Sequence, residues 1–224
     1  RYFSILEAIA GGATGRNEIA GVTGIDYNQL STYLDRLSRL RLIERHVPVT
    51  EKPERSKRSQ YRLRDPLFRF WFRFLYGSSD RYDQFGDEAY ERLVEPELAD
   101  FVAPAFEQLC CEALWTLYDE TQIVDVGQWW YQDHEIDVVG LTDEDTLVVG
   151  ECKYQESPLD YSALASLETH VEELRWQPAG GGTRTVEYAL FSRNGFTDSV
   201  HEVAIERDEI RLYTIDDVVT ALGG

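Results

Sequence analysis

Residues 135–154 have the sequence EIDVVGLTDEDTLVVGECKY, and this stretch decides the fold of the second half of the chain. Two apolar runs, 135–141 and 146–154, lie on either side of the acidic segment 142–145. Apolar, β-branched runs of this length with a polar break between them predict two strands joined by a tight turn. The stretch therefore predicts an antiparallel hairpin.

The register of this hairpin decides whether its polar residues meet. If Asp137 lies opposite Glu151, then Thr142 lies opposite Thr146, and a three-residue loop without glycine joins the strands. Glu151 and Lys153 are two positions apart on one strand, so they project from one face. A shift by one residue would move Asp137 to the opposite face. We therefore predict the register that pairs Asp137 with Glu151.

Two carboxylates and an ammonium group in this arrangement suit metal-assisted hydrolysis. Asp137 and Glu151 would bind Mg²⁺ or Mn²⁺, for which oxygen atoms are the preferred ligands, and the backbone carbonyl of Cys152 would add another. Lys153 would orient the attacking water or stabilise the charged transition state. Glu107, on a preceding predicted helix, would complete the metal shell or hold a second ion.

The distribution of lysine supports this site. The three lysines are Lys52, Lys57 and Lys153, and the seven other basic residues of 81–224 are all arginine. Arginine does not replace lysine where a compact ammonium group is needed. The opposing interpretation is that Glu-x-Lys is a frequent string that forms a salt bridge on a strand surface.

The rest of the second half alternates helices with short strands, which predicts a mixed α/β (α+β) domain. A helical region with Leu109 among its buried residues comes first, and Gly180-Gly181-Gly182, which lacks the P-loop pattern, is interpreted as a flexible loop. The predicted helical ranges are 87–119, with breaks near Pro96 and Pro104, 160–176 and 196–205, and the predicted strands are 123–126, 135–141, 146–154, 186–192 and 209–215.

The first part of the chain has the pattern of a winged helix-turn-helix: three short helices and then a hairpin. Thr14 and Asp26 are predicted to cap the second and third helices. The third helix has one apolar stripe, made of Leu30, Tyr33, Leu34, Leu37 and Leu40. The predicted ranges are 2–10, 15–22 and 27–41 for the helices, and 42–48 and 60–63 for the strands.

The third helix and the hairpin loop carry side chains suited to nucleic acid. Small polar residues reach base edges in the major groove, and basic residues contact phosphates. The candidate residues are Asn28, Gln29, Ser31, Thr32 and Arg36 on the helix and Lys52, Arg55, Lys57 and Arg58 in the loop. Asp26 and Asp35 oppose a polyanion, so a protein–protein module of the same fold remains an alternative.

We predict two domains with a linker between them. Residues 1–76 form the winged helix with a trailing aromatic helix, 65–76. The polar, glycine-bounded segment 77–86 is the linker, and residues 87–224 form the second domain. The aromatic helix is predicted to pack between the domains through Phe68, Trp71, Phe72 and Leu75.

The charge is divided unevenly between the two parts. Residues 1–80 hold fourteen basic and nine acidic residues, residues 81–224 hold eight and thirty-two, and the formal net charge is −19. An acidic chain with nineteen arginines and three lysines is typical of a halophilic protein, which its net charge keeps in solution. At molar salt, screening over about 3 Å removes most of the repulsion of a distant polyanion.

Several classes of protein are excluded by composition. The sequence has no apolar run of about 18 residues that would span a membrane. Because no charged and then apolar stretch opens it, we expect no secretory leader. Cys110, Cys111 and Cys152 form no Cys-x-x-Cys pair, which indicates neither a zinc site nor a disulfide framework and favours a reducing, cytoplasmic compartment. Because the chain starts at Arg1 and has no methionine, we expect it to be a piece of a longer protein.

The order of Glu107, Asp137 and Glu151-x-Lys153 resembles the PD-(D/E)xK nuclease superfamily, and archaeal Holliday-junction resolvases have a similar order. The whole chain resembles more closely the C-terminal region of archaeal ATP-binding proteins, chiefly through EIDVVG and VVGECKY. In those proteins a P-loop ATPase domain precedes a winged helix and a nuclease-like domain of unknown function. Ile136 replaces the proline of the superfamily's name.

The resemblance implies a restriction-endonuclease-like mixed sheet flanked by helices. It also implies that Asp137, Glu151 and Lys153 are the catalytic residues, with Glu107 as a further candidate. The expected function is a metal-dependent DNA endonuclease from a haloarchaeal ATPase, with ATP bound only by the upstream domain and a homodimer as an option.

Two alternatives stay open. One is a non-catalytic DNA-binding or protein-docking module with a degenerate nuclease core, in which Lys153 is buried in an ion pair. The other is an oligomerisation module with an exposed apolar patch around Trp71, Trp129 and Trp130.

Overall fold

A computed structural model describes residues 1–178, 181 and 183–223, which form two compact units. The first unit comprises Arg1–Val47 and Glu51–Leu98. The second comprises Pro48–Thr50 and the chain from Ala99 onward. Of the predicted loop at Gly180–Gly182, the first and last residues lie outside the described part of the chain.

The first unit consists of helices and one hairpin. Its elements are α1 (Tyr2–Ala10), α2 (Arg16–Thr23), α3 (Tyr27–Arg39), β1 (Ile43–His46), β2 (Gln60–Leu63), α4 (Pro66–Phe70), a π-helical turn (Trp71–Leu75), α5 (Ser79–Phe85), a 3₁₀ turn (Gly86–Glu88) and α6 (Ala89–Leu93). The predicted order of three helices and a hairpin is confirmed.

Helix α3 begins at the predicted cap and ends earlier than predicted. The Asp26 carboxylate accepts hydrogen bonds from the N–H groups of Asn28 (2.9 Å) and Gln29 (3.3 Å), which satisfies free donors at the helix start. Because the helix ends at Arg39, Leu40 leaves the stripe and is 67 % exposed. The buried residues of α3 are Leu30, Leu34 and Leu37.

Helix α2 lacks the predicted cap from Thr14. Gly15 occupies the N-cap position. The Glu18 carboxylate accepts hydrogen bonds from the N–H groups of Gly15 (2.9 Å) and Thr14 (3.0 Å). The donors at this end are therefore satisfied from inside the helix, and the Thr14 prediction is wrong.

A π-helical turn changes the buried face of the aromatic segment. The turn Trp71–Leu75 is closed by a 2.7 Å hydrogen bond from the N–H of Tyr76 to the carbonyl five residues earlier. The extra residue in the turn rotates the side chains that follow, so Phe74 is buried in place of Leu75. Phe68 is also exposed, and the rest of the predicted face is buried or half-buried.

The segment predicted as a linker, 77–86, is largely helical. Helix α5 lies between Gly77 and Gly86, which have positive φ angles of 73° and 52°. The division between the units falls after Leu98. Glycines with positive φ end helices as readily as they bound linkers, so composition alone did not distinguish the two.

The second unit is a five-stranded mixed sheet with helices. Its elements are α7 (Glu95–Leu117, which starts in the first unit), β3 (Ile123–Tyr131), β4 (His134–Thr142), β5 (Thr146–Lys153), α8 (Tyr161–Glu173), β6 (Thr185–Ser192), α9 (Asp198–Glu206), β7 (Ile210–Thr214) and α10 (Ile215–Ala221). The strand order is β3-β4-β5-β6-β7, with β3, β4 and β5 antiparallel and β5, β6 and β7 parallel.

The predicted register of β4 and β5 is confirmed. The pairs run from Leu141 opposite Leu147 to Val138 opposite Gly150, which is the register that aligns Asp137 with Glu151. In the turn, the Thr142 hydroxyl donates to the Thr146 carbonyl at 2.7 Å.

The sheet divides where this pairing ends. Beyond Val138 and Gly150, β4 continues on β3 through Ile136 and Trp129. On the other side, β5 continues on β6, with Glu151 opposite Leu190 and Lys153 opposite Ser192. The two branches leave a fork between β4 and β5, and Asp137 lies at its mouth.

Each face of the sheet is apolar and is covered by helices. Helices α8 and α9 pack on one face, around Leu164, Leu167 and Val200. Helices α7 and α10 pack on the other, around Phe106, Leu114 and Val218. In the described part of the chain, no helix is long and apolar enough to cross a membrane.

Four features of this unit differ from the predictions. Helix α7 passes through Pro104 without the predicted break, and Leu109 is exposed. Strand β3 continues past Gly127 to Tyr131, because an irregularity after Gly127 lets the aromatic residues keep pairing. Helix α10 was not predicted.

Gly150 lies at a point of close packing. A Cβ atom there would lie 2.8 Å from the Ala189 carbonyl oxygen and 3.1 Å from Val138 Cβ. We expect Gly150→Ala to destabilise the protein by about 1–3 kcal/mol. Chemical denaturation checks this against Gly21→Ala, where nothing lies within 4 Å. Equal stability of the two variants would contradict the packing argument.

Candidate active site

Asp137 is fixed at the mouth of the fork by a backbone hydrogen bond. The N–H of Cys152 points toward β4 beyond the last strand pair and donates to Asp137 Oδ2 at 2.8 Å. The side chain thus replaces the strand carbonyl that a continued ladder would supply. Because the N–H and carbonyl of one residue point to the same side of a strand, the Cys152 carbonyl also faces the fork.

Glu151 and Lys153 lie together on the other branch, as predicted. Lys153 Nζ is 2.5 Å from Glu151 Oε1. The Glu151 side chain is 11 % exposed and the Lys153 side chain is 39 % exposed. The ammonium group therefore remains accessible while it balances a buried carboxylate.

The carboxylates repel one another. Burial raises the pKa of Asp137 well above its ordinary value, and the charges of Glu151, Glu107 and Glu135 raise it further. Burial lowers the pKa of Lys153, but the Glu151 carboxylate outweighs this, so that the net pKa is raised. The site concentrates negative charge that a cation would relieve.

Glu107 approaches this site from α7. Its Oε2 accepts a 2.7 Å hydrogen bond from Gln128 Nε2 on β3. This bond fixes the carboxylate near Asp137, and the charge of Glu107 raises the pKa of Asp137. Sequence reasoning missed Gln128, because its role depends on the unpredicted extension of β3.

The fork presents oxygen atoms of the kind that Mg²⁺ prefers as ligands. The described residues include no group of three or more His, Cys, Asp and Glu side chains placed to hold a metal. Mg²⁺ is commonly held by only one or two carboxylates, with water and substrate phosphate as the other ligands. Asp137, Glu151 and the Cys152 carbonyl are the oxygen donors at the fork that would hold such an ion.

The thiol of Cys152 takes no part in this arrangement. It is a buried free thiol, and so is the thiol of Cys110. Burial raises the pKa of the Cys152 thiol, and its neighbour Cys110 raises it further. A protonated, buried thiol is unreactive, so the carbonyl remains the group to consider.

The predicted base-reading face of α3 is partly engaged within the first unit. Ser31 accepts a hydrogen bond from Arg16, and Arg36 donates to the Tyr2 hydroxyl at 3.0 Å. Gln29 has a 3.5 Å contact with Arg1. Asn28 and Thr32 are exposed. The face offers fewer base-reading groups than the sequence suggested.

The hairpin loop presents its basic residues more freely. Exposed here are Lys52, Arg55 and Lys57, whereas Arg58 forms an ion pair with Glu51. Arg45, which sequence reasoning missed, donates to Ser59 Oγ and to the carbonyls of Pro53 and Ser56 at 2.7–3.0 Å. These bonds order the loop that carries the exposed cations.

Comparison with known proteins shows similarity to a family whose function is unknown. Residues 71–168 match the model of the DUF234 family, described as archaeal and bacterial proteins of unknown function. An uncharacterized protein of Methanocaldococcus jannaschii is 29 % identical over 148 residues, which cover 64 % of this chain and 33 % of that protein. The chain thus aligns with about a third of its relative's length. The family match includes Glu107, Asp137, Glu151 and Lys153.

Proposed function

We propose that the second unit is a metal-dependent endonuclease-type phosphodiesterase that acts on DNA. One observation carries the proposal: Asp137, Glu151 and Lys153 meet where the sheet divides, with the Asp137 carboxylate fixed by the Cys152 N–H. At the fork Asp137 and Lys153 are half-buried rather than buried, so solvent reaches both groups. This gives the Glu-x-Lys string a role beyond a surface ion pair.

Asp137, Glu151 and the Cys152 carbonyl would hold Mg²⁺ or Mn²⁺. Such an ion, when bound, polarises the phosphoryl oxygens and lowers the pKa of bound water. Lys153 places a positive charge beside the Glu151 carboxylate, where it orients the attacking water and stabilises charge on the phosphate. Glu107, fixed by Gln128, adds negative charge that favours a second cation.

The first unit is proposed to be a winged helix that docks on DNA. Its three helices and hairpin support this assignment, and the ordered loop carries the exposed cations Lys52, Arg55 and Lys57. Contacts of this kind bind phosphate without reading sequence. With Ser31 and Arg36 engaged elsewhere, binding with little sequence preference is expected.

We also propose that the chain is part of a larger, cytoplasmic, halophilic archaeal ATPase, and a homodimer remains an option. The relative's greater length leaves room for a further domain. In that arrangement ATP would be bound by the upstream domain alone.

A non-catalytic docking module is the second candidate. The 2.5 Å contact between Lys153 and Glu151 favours it, because one carboxylate oxygen is already occupied by the ammonium group. The exposure of Lys153 favours catalysis instead. Trp129 is 2 % exposed, so it is not part of the exposed apolar patch that an oligomerisation module would need.

Calorimetric titration with Mn²⁺ separates these candidates. The wild-type protein is expected to bind one or two ions, and Asp137→Ala and Glu151→Ala are expected to abolish that binding. The matched control is Glu144→Ala, in the exposed turn between β4 and β5. Binding that survives in both site variants, or no binding in the wild type, would contradict the catalytic proposal.

A further inference from the structure

The second unit has few positive charges to offer a phosphate. Its basic residues are Lys153, Arg175, Arg184, Arg193, Arg207 and Arg211. Four of them contact oxygen atoms: Lys153 contacts Glu151, Arg184 the carbonyls of Val171 and Leu174, Arg207 Glu168 and Glu209, and Arg211 Glu187. Arg175 lies two residues past the end of α8.

Arg193 lies beside the candidate site. It follows the last residue of β6, which pairs with Lys153, and its N–H donates to the Lys153 carbonyl at 3.0 Å. Among the described residues, no carboxylate lies within ion-pair distance of its guanidinium. Within the described part of the chain, this side chain is therefore a cation beside the end of β5 that pairs with no acid.

An aromatic ring holds the Arg193 guanidinium instead. Its central carbon lies 4.8 Å from the centre of the Tyr154 ring, and Tyr154 packs on Phe106, the neighbour of Glu107. Stacking uses the flat face of the guanidinium and leaves the N–H groups at its edge available. Those donors match the oxygen atoms of a phosphate in a two-point contact.

We propose that Arg193 binds a backbone phosphate of the DNA and positions the strand at the fork. This inference rests on the proposed function. Arg193 adds a positive charge for the phosphate to that of Lys153, which is paired with Glu151. It acts on substrate binding, whereas Asp137 acts on the reaction itself.

Two measurements on the full chain test this role. The first is the affinity for a fluorescent DNA duplex in Ca²⁺, measured by anisotropy over a salt series. We expect Arg193→Gln to bind roughly tenfold more weakly, with the salt slope reduced by about one, and Arg193→Lys to be intermediate. The second is cleavage of the duplex in Mn²⁺, where Arg193→Gln should raise KM and leave kcat within a few-fold.

Arg175→Gln is the matched control, because it removes the same charge from an exposed position of the same unit. A thermal melt verifies that each variant is folded. If Arg193→Gln does not fold, the affinity of Arg193→Lys decides the test. If the wild type binds and cleaves but Arg193→Gln behaves like Arg175→Gln, the role of Arg193 is overturned and the proposed function stands. If the wild type neither binds nor cleaves DNA, both are overturned.

Discussion

Asp137→Asn is expected to reduce DNA cleavage by about a thousandfold or more and to leave the fold intact. The substitution removes the negative charge that would hold the metal ion, and stabilisation of this kind is worth several kcal/mol in the transition state. The amide oxygen of asparagine still accepts the 2.8 Å hydrogen bond from the Cys152 N–H, so the fork keeps its geometry.

The same variant is expected to be more stable than the wild type at neutral pH. The folded-state pKa of Asp137 is raised by burial and by Glu151, so folding works against its ionised form. This penalty is fully present above the raised folded-state pKa, shrinks as the pH falls below that value, and is gone below the ordinary pKa of an aspartate. The melting temperature of Asp137→Asn should therefore exceed that of the wild type most at high pH, and the difference should shrink on acidification.

Thermal melts from pH 4 to pH 8, without divalent ions, measure this difference. The matched control is Asp143→Asn, which removes an exposed carboxylate from the turn after β4 and should change neither stability nor cleavage. A loss of cleavage with a loss of stability at every pH would indicate that Asp137 is a structural residue. The expected gain of stability with a loss of cleavage is the trade of stability for activity that is typical of catalytic residues.

The register of the central hairpin could be predicted because Asp137 and Glu151 share a face only when the numbers of paired residues add up to an even value. A shift by one residue would place Asp137 on the face opposite Glu151. The placement of Asp137, Glu151 and Lys153 on adjacent strands followed from that register. The stripe of α8 also follows a simple rule, since Leu164, Leu167 and Val171 recur at helical spacing.

Features that depend on contacts between distant segments could not be predicted. The division of the sheet depends on β4 staying with β3 and β5 with β6, and neither pairing is visible in the hairpin sequence. The bond between Gln128 and Glu107 joins β3 to α7. The π-helical turn at Trp71–Leu75 has no sequence signal that we recognised, and it reversed the burial of Phe74 and Leu75.

Lys153→Arg is expected to reduce kcat for cleavage by about a hundredfold, with Mn²⁺ binding retained. Arginine keeps the positive charge and the ion pair with Glu151, but its charge is spread over a planar group that cannot occupy the position of a compact ammonium. General stabilisation by one positioned donor is worth about this much in rate. The control is Lys57→Arg, at an exposed position of the hairpin loop.

Single-turnover cleavage in Mn²⁺ measures the effect, and calorimetry verifies the metal site. The change should leave the stability within about 1 kcal/mol, because an ion pair with an exposed partner contributes little to folding. If Lys153→Arg cleaves at the wild-type rate, Lys153 only balances the charge of Glu151, and the water must be oriented by another group. If Lys153→Arg loses metal binding as well, the ammonium holds the carboxylates in place, which assigns it a structural role at the fork.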